Sequence, residues 1–206
     1  MRLIFLLLAF FGLTTMADAQ GGAAKMPVAL IMIGEENESA MSRVKAWAEE
    51  NLAIPVPVLP AQPETKIEGF EEVAQYGSGL LEADRLGLVV LWRPSATNVT
   101  SHGAYYPDQR VAVINLAAMY TADTEQETIE RRLERQVIRG ICLTMGLEPN
   151  PNPQSAMFNY STMEELDAIG RNLDPPWLMR LQEKALAEGI SVNVDSPYNL
   201  VTPLAE

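Results

Sequence analysis

Side chains that could activate a nucleophile or hold a catalytic metal are scarce in this sequence of 206 residues. It contains one histidine, His102, and one cysteine, Cys142. A hydrolytic zinc site takes about three protein ligands, mostly histidine, cysteine or carboxylate, and leaves a position for water. The single histidine excludes a site with two imidazole ligands from one chain. A site made only of carboxylates would suit calcium or magnesium better, and the sequence has no calcium-binding loop motif.

The histidine and the cysteine could still act in other ways. His102 could serve as an acid or base if it met a carboxylate, and Glu134 and Asp167 are the candidates. Nothing in the sequence brings these residues within hydrogen-bond reach. Cys142 lies inside a predicted helix with no base nearby in sequence, so we expect a buried, inert thiol.

One stretch, residues 130–177, has the order of elements that a catalytic framework would need. A helix is predicted over residues 125–145, because a capping box begins at Thr124 and one face is apolar. Gly146 should end this helix in a left-handed conformation. A Pro/Asn-rich loop, Met157 and a second short helix follow. The apolar face comprises Ile129, Leu133, Val137, Ile141 and Met145.

This order resembles that of archaemetzincin-type metallopeptidases. They carry H-E-x-x-H-x-x-G-x-x-H-C on such a helix, then C-x-M in a methionine turn, then E-x-D-x-x-G-x-N-x-C-P-P-C. Gly146 matches the glycine that follows the helix, and Met157 matches the methionine of the turn. The resemblance extends over residues 86–181. The last motif is matched by Glu165, Asp167, Gly170, Asn172, Pro175 and Pro176.

The resemblance also implies where zinc would bind, and none of those positions keeps the family's ligand. Arg139, Leu143 and Pro149 stand at the three histidine positions, and Gly140 stands at the general-base glutamate. The cysteine positions of a second zinc are held by Asn150, Ser155, Asp174 and Trp177. We therefore expect no cofactor. Zinc would be expected only in an active peptidase with a non-standard site.

The resemblance further implies a substrate cleft beside a strand that begins at Gly103. Backbone groups of residues 102–106 could add a peptide strand there. The alternative is an ordinary solvated hairpin. The residues that we expect in a ligand cleft are His102, Gly103, Ala104, Arg139 and Asp167.

Arg139 and Gly140 carry two specific expectations. A guanidinium near the lost metal requires a carboxylate partner. The candidates are Glu148, Asp167 and the carboxylate of a bound peptide. The alternative is that Arg139 points into solvent, as we expect of Arg132 and Arg135. Gly140 should leave space where the general base would point, so Gly140→Ala is expected to be neutral or stabilising.

The rest of the chain predicts strands and helices in alternation. Residues 28–33 and 86–92 are apolar runs typical of buried strands. Helices are predicted after Asn37 or Ser39, from Phe70 to about residue 81, and from Asp174, while residues 103–115 should form a hairpin. The prolines within residues 54–60 place any strand there at a sheet edge. We expect an α/β (α+β), three-layer, metzincin-like domain with a mixed sheet, a long central helix in place of the zinc-binding helix and a Met-turn-like segment.

The N-terminus predicts export to the periplasm or the extracellular space. Arg2, an apolar run over residues 3–13 and the tripeptide that ends at Ala19 form a signal peptide of residues 1–19. An uncleaved anchor helix is the alternative. The remaining divisions are a flexible joint at 20–26, a single domain at 27–190 and an irregular tail at 191–206.

Composition narrows the possible partners. The formal net charge is −12 and no Lys/Arg-rich run is present, which argues against nucleic acid and, after signal cleavage, against an anionic membrane. A peptide or protein segment is the expected partner, and the sequence does not determine the oligomeric state.

Three hypotheses for the function follow. The first is an exported, non-catalytic relative of the archaemetzincins with a peptide-binding cleft. The second is an active hydrolase of that class with a non-standard site. The third is an unrelated exported α/β domain.

Overall fold

The computed structural model describes residues 25–34, 37–63, 67–94, 99–120 and 124–201. The predicted signal peptide, residues 20–24 of the predicted joint and residues 202–206 of the predicted tail lie outside the described residues. In the described part of the chain, no helix is both long enough and apolar enough to cross a membrane.

The described residues form four strands and six α-helices, with two helices after the first strand and four helices after the last one. The strands are β1 (Ala29–Ile33), β2 (Leu88–Trp92), β3 (Gly103–Tyr106) and β4 (Val111–Asn115). The helices are α1 (Glu38–Leu52), α2 (Phe70–Gly79), α3 (Leu116–Met119), α4 (Gln126–Thr144), α5 (Met163–Ala168) and α6 (Pro175–Ala187).

The strands form one mixed sheet in the order β1-β2-β4-β3, which confirms the predicted class. β1, β2 and β4 are parallel, and β3 pairs with β4 in the antiparallel direction at the sheet edge. The proline-rich segment runs along the other edge, as its missing donors predict. There the Leu30 and Leu59 amides bond to the carbonyls of Pro57 and Leu30 respectively.

Helices cover both faces of the sheet and make three layers. Side chains alternate along each strand, so every buried strand contributes to two cores. On one face, Leu30, Leu91 and Ile114 pack with residues of α1, α4, α5 and α6. On the other face, Val90 and Val113 pack against α2.

The boundaries of α4 correct one prediction and confirm another. Glu125, and not Thr124, occupies the N-cap, and no side chain caps the helix there, so the predicted capping box is wrong. The Glu125 carbonyl accepts the first helical hydrogen bonds, from the amides of Thr128 and Ile129. The helix therefore starts one residue later than a capping box at Thr124 requires. The C-terminus follows the prediction, because Gly146 has a φ of 74°. Its amide and that of Leu147 close a Schellman motif.

The residues after α6 contain no helix or strand up to Val201 and pack against the domain. Asn193 donates its amide to the carbonyl of Ala53 at the end of α1. The Gln182 side chain of α6 binds the Tyr198 carbonyl and the Leu200 amide.

Candidate functional site

Helix α4 is buried on its polar side as well as on its apolar side. Arg132 and Arg135 are each only 6% exposed, so the expectation that they point into solvent is wrong. One face of α4 packs on the sheet. The chain that follows α4 covers the opposite face, which we expected to be exposed to solvent. Arg135 donates to the backbone carbonyls of Asp167 and Ile169, at the end of α5.

Asp167 binds Arg132 and is not a partner of Arg139. The Arg132 guanidinium grips the carboxylate with two hydrogen bonds of 2.8 and 2.6 Å. A further donor of Arg132 reaches the Met119 carbonyl at 2.9 Å. Donation to the Asp167 carboxylate is the main reason that the pKa of Arg132 is raised. This pair fixes α5 to α4.

The residues of the last motif hold the loop that contains Met157. We call residues 150–158 the Met loop and residues 165–172 the signature turn. A Cβ on Gly170 would lie 1.7 Å from the Gln154 carbonyl oxygen, so only glycine lets the two segments touch. The Gly170 amide binds the Pro153 carbonyl at 3.0 Å, and the Ala156 amide binds the Asn172 carbonyl at 2.8 Å. The signature turn is therefore a support for the Met loop.

Two further features complete this support. Thr162 and Glu165 form the capping box of α5, the short helix predicted after Met157. Met157 is fully buried and belongs to the core that α4 shares with the sheet. Its carbonyl accepts the Asn150 amide at 2.9 Å, which closes the Met loop on itself.

Arg139 reaches the end of the Met loop. It donates to the Phe158 carbonyl at 3.0 Å and to Asn159 Oδ1 at 2.9 Å, and its guanidinium lies 5.7 Å from the centre of the Tyr160 ring. Within the described residues, no carboxylate forms an ion pair with Arg139. The two partners expected within the chain are wrong, because Asp167 is bound by Arg132 and the Glu148 side chain is exposed.

Gly140 does not leave an open space. A Cβ there would lie 3.1 Å from both γ carbons of Val89 and 3.3 Å from the Cβ of Ala112. Because Gly140 has no side chain, α4 approaches the sheet closely. Side chains of the sheet therefore fill the space that was expected to be empty beside Gly140. The expectation that Gly140→Ala is neutral or stabilising loses its basis.

A cavity of about 210 Å³ lies between the sheet edge and α4. A neighbouring cavity of about 360 Å³ is lined by residues 100–103, Tyr160 and Ser161. The two share Gly103 and Tyr160, and we call the pair the groove. The first cavity is lined by Gly103, Ala104, Tyr105, Ala112, Val113, Ile114, Gln136, Arg139, Gly140, Leu143 and Tyr160.

The structure brings together most of the residues expected in a ligand cleft. Gly103, Ala104 and Arg139 line the first cavity, and His102 lines the second. The His102 ring stacks on Tyr160 with centroids 5.6 Å apart. The His102 carbonyl accepts the Asn115 amide at the end of β4, which fixes this residue beside the sheet. Asp167 lies outside the walls of both cavities.

Comparison with known proteins finds similarity in three dimensions only. No protein-family model matches the sequence, and no curated protein matches it. The solved structure of archaemetzincin from Methanopyrus kandleri aligns with 80% of this chain and 97% of its own, with a TM-score of 0.64 and 16% identity. The chain has an archaemetzincin-like fold.

Two further archaemetzincin-like structures align over nearly their whole length. A zinc-dependent peptidase from Methanocorpusculum labreanum aligns over 75% of this chain and 99% of its own, with a TM-score of 0.59 and 14% identity. Archaemetzincin from Archaeoglobus fulgidus, solved with malonate, aligns over 76% and 99%, with a TM-score of 0.52 and 17% identity. At these identities the similarity concerns the fold.

The positions that the resemblance assigns to zinc ligands hold residues that do not fit zinc. Arg139 brings a permanent positive charge, Leu143 offers no donor atom, and exposed Pro149 has no side-chain donor. Nowhere in the described residues do three His, Cys, Asp or Glu side chains form a group that could hold a metal ion.

The residues at the positions that the resemblance assigns to a second zinc take part in hydrogen bonds instead. The side-chain amide of Asn150 donates to one carboxylate oxygen of Asp174, and the side-chain amide of Asn152 donates to the other at 3.4 Å. Asp174 is the N-cap residue of α6, as predicted, but its side chain does not cap the helix because these amides occupy it. Buried Ser155 accepts the Met157 amide at 3.3 Å. The indole of Trp177 donates to the Glu148 carbonyl.

The acid/base pairs considered for His102 do not form. Glu134 is 1% exposed and is bound by Arg43 and Arg171, while Asp167 is bound by Arg132. Burial, followed by the charge of Arg132, lowers the pKa of His102. Cys142 is fully buried, and burial raises the pKa of its thiol.

Sequence reasoning missed two residues of the groove, Gln136 and Tyr160. Gln136 lies three residues before Arg139 and so on the same face of α4. It gave no clear signal, because it follows Glu134 and Arg135 in the polar part of the helix sequence. Tyr160 follows the Met loop, and only the folded chain shows that it contacts both His102 and Arg139.

Proposed function

We propose that this protein is an exported, non-catalytic, archaemetzincin-like protein that binds an extended peptide segment in the groove and does not cleave it. The observation that carries the proposal is a sheet edge, β3, that faces a cavity ending at Arg139. The proposal of export rests on the N-terminal sequence pattern alone.

The free edge of β3 supports strand addition. The Asn115 amide bonds to the His102 carbonyl, and bonded pairs alternate along an antiparallel ladder, so Gly103 and Tyr105 present their backbone groups away from β4. Within the described residues these groups have no other backbone partner. Such an edge can take up an extended peptide, whose backbone hydrogen bonds supply affinity.

The groove lacks the groups that hydrolysis of a peptide bond would use. The position of the general base holds Gly140, whose Cα faces the sheet, and His102 has no carboxylate partner among the described residues. The carboxylates closest to α4 are engaged by arginines. These features support binding over catalysis. An active hydrolase with a non-standard site is the other outcome that the experiment must recognise.

The experiment measures binding and cleavage together. Pooled random hexapeptides are added to the purified, ¹⁵N-labelled protein with and without zinc, and mass spectrometry follows the peptides. We expect shifts of the Gly103 and Tyr105 amide resonances and no cleavage. Malonate, present in the Archaeoglobus structure, serves as a small competitor.

A pair of variants tests whether binding takes place in the groove. Leu143→Trp places a large ring in the cavity wall and should abolish the shifts. Leu186→Trp changes an exposed leucine of α6, 45% exposed, and should leave them unchanged. Cleavage that survives in the first variant and needs no zinc would point to a non-standard active site elsewhere. Absence of any binding would refute the proposal.

A further inference from the structure

The first cavity of the groove contains a positive charge that nothing in the described structure neutralises. Among the described residues, Arg139 is the only charged one in the wall of this cavity, in a chain of net charge −12. Its two hydrogen bonds go to neutral oxygens, those of Phe158 and Asn159. A guanidinium has more N–H donors than these contacts use. Burial lowers the pKa of Arg139, so its charge is held at a cost in free energy.

A buried amide beside Arg139 also lacks a partner. Gln136 is 5% exposed, and its Nε2 nitrogen makes no hydrogen bond of normal geometry. Burial raises the pKa of Tyr160, and the charge of Arg139 and then the nearby amide of Gln136 partly oppose that rise, so the amide lies close to the Tyr160 hydroxyl. Its Oε1 would lie 3.8 Å from a Cβ on Gly103, so the side chain is next to the start of β3. Buried donors without partners are rare in folded proteins and call for an explanation.

We infer that the cavity binds the carboxylate of a ligand between Arg139 and Gln136, and that this carboxylate is the free C-terminus of the peptide in the groove. The peptide part of the inference rests on the proposed function. A bound anion would supply a counter-charge for the Arg139 guanidinium. It would also accept a hydrogen bond from the side-chain amide of Gln136. A carboxylate also matches the planar fork of an arginine.

The size and position of the cavity favour a chain end. Pockets for drug-sized ligands measure roughly 300 to 1,000 Å³, and about 210 Å³ is smaller. The cavity has room for a terminal residue or a small acid, while the neighbouring cavity beside His102 can take the preceding residues. The peptide would then end at α4 after pairing with β3.

The test compares ligands that differ only in the terminal group. Pooled acetylated tetrapeptides of random sequence are made as free acids and as C-terminal amides, and acetate is the small acid. Binding to the full chain is followed by the Gly103 and Tyr105 amide signals and by the Arg139 Nε signal. We expect the acids to bind at least about tenfold more tightly than the amides, as for a hydrogen bond to a charged group.

Variants locate the effect. Arg139→Gln keeps donors but removes the charge, so acids and amides should bind equally. Gln136→Met removes the amide and should weaken the acids alone. Arg131→Gln, at an exposed residue paired with Glu127 on the outside of α4, is the matched control and should keep the preference for acids.

The outcomes separate this inference from the proposed function. Equal binding of acids and amides to the unaltered protein overturns the carboxylate site and leaves peptide binding intact. Acetate that shifts the Arg139 signal, without binding of either peptide pool, supports a small-acid site and overturns peptide binding. Absence of all binding overturns both. Preference for acids that persists in Arg139→Gln places the carboxylate elsewhere and also overturns the inference.

Discussion

The signature turn packs against α4, and α4 itself carries Arg139 and Leu143 at two of the positions that the resemblance assigns to zinc ligands, yet the two regions match the archaemetzincin motif to very different degrees. The signature turn keeps the residues of the archaemetzincin motif, and each makes a contact that does not depend on a metal. At the positions that the resemblance assigns to histidine ligands, Arg139, Leu143 and Pro149 offer no metal-binding side chain. The contrast indicates that Gly170 and Asp167 position the chain, whereas Arg139 and Leu143 stand where the resemblance places metal ligands.

New contacts occupy the places that metals would hold in the resembled family. Arg139 binds the end of the Met loop, and Asn150 and Asn152 bind Asp174. These hydrogen bonds tie α4 to the end of the Met loop, and the Met loop to the start of α6.

The largest effect is expected from Gly170→Ala. The new Cβ would overlap the Gln154 carbonyl, and the Met loop would have to move away. We expect a loss of more than about 3 kcal/mol in the free energy of unfolding, or failure to fold. Gly79→Ala is the control, because nothing lies within 4 Å of its Cβ position. Urea denaturation measures both, and similar stabilities would mean that the signature turn is not a support.

A smaller loss is expected from Asp167→Asn. The change leaves the Arg132 guanidinium buried without its counter-charge, which should cost about 2 to 4 kcal/mol of stability, less than a fully buried pair because Asp167 is partly exposed. Glu127→Gln, which breaks the exposed pair with Arg131, should cost less than about 1 kcal/mol. If the two variants lose equal stability, α5 is not fixed to α4 through Asp167.

Gly140→Ala tests the second region, the part of α4 that the resemblance assigns to the zinc ligands and the general base. Alanine favours the helix by about 1 kcal/mol, but its Cβ must displace Val89 and Ala112, and such overpacking costs about 1 to 3 kcal/mol. We expect a net loss of about 1 kcal/mol by urea denaturation. A gain in stability would show that α4 can move away from the sheet and that the site keeps free room.

The smallest effect concerns pH. Burial lowers the pKa of His102 below its ordinary value of 6.5, so the unfolded chain takes up a proton at a higher pH than the folded one. Stability should therefore fall as the pH drops below 6.5 toward the lower pKa of the folded state. Melting temperatures of the protein and of His102→Phe should diverge in that direction between about pH 7.5 and pH 5. Parallel curves would place His102 in solvent.

The sequence predicts the fold well because its strongest signals are local. The apolar runs of β1 and β2, the helical period of α4 and the left-handed Gly146 each depend on a few neighbouring residues. The spacing of Thr162 and Glu165 also indicates the capping box that α5 has. The same spacing at Thr124 is misleading, because α4 begins one residue later. Short-range patterns leave such boundaries open.

The site was harder to predict because it depends on contacts between distant segments. Arg132 and Arg135 read as surface residues, and only the signature turn folding over α4 buries them. The partner of Arg139 is a backbone carbonyl, which has no signature in the sequence. Gly140 was read as a gap, although the sheet closes against it. Gln136 and Tyr160 acquire a role only once the groove exists.

The metal content of the purified protein tests the central claim most directly. Elemental analysis after incubation with zinc and dialysis is expected to find far less than one zinc per chain, because Arg139, Leu143 and Pro149 cannot replace histidine ligands. The predicted result is the same for Arg139→Gln, which removes the repelling charge without adding a ligand. One equivalent of zinc that survives dialysis, and peptide cleavage that disappears when a chelator removes it, would contradict the account.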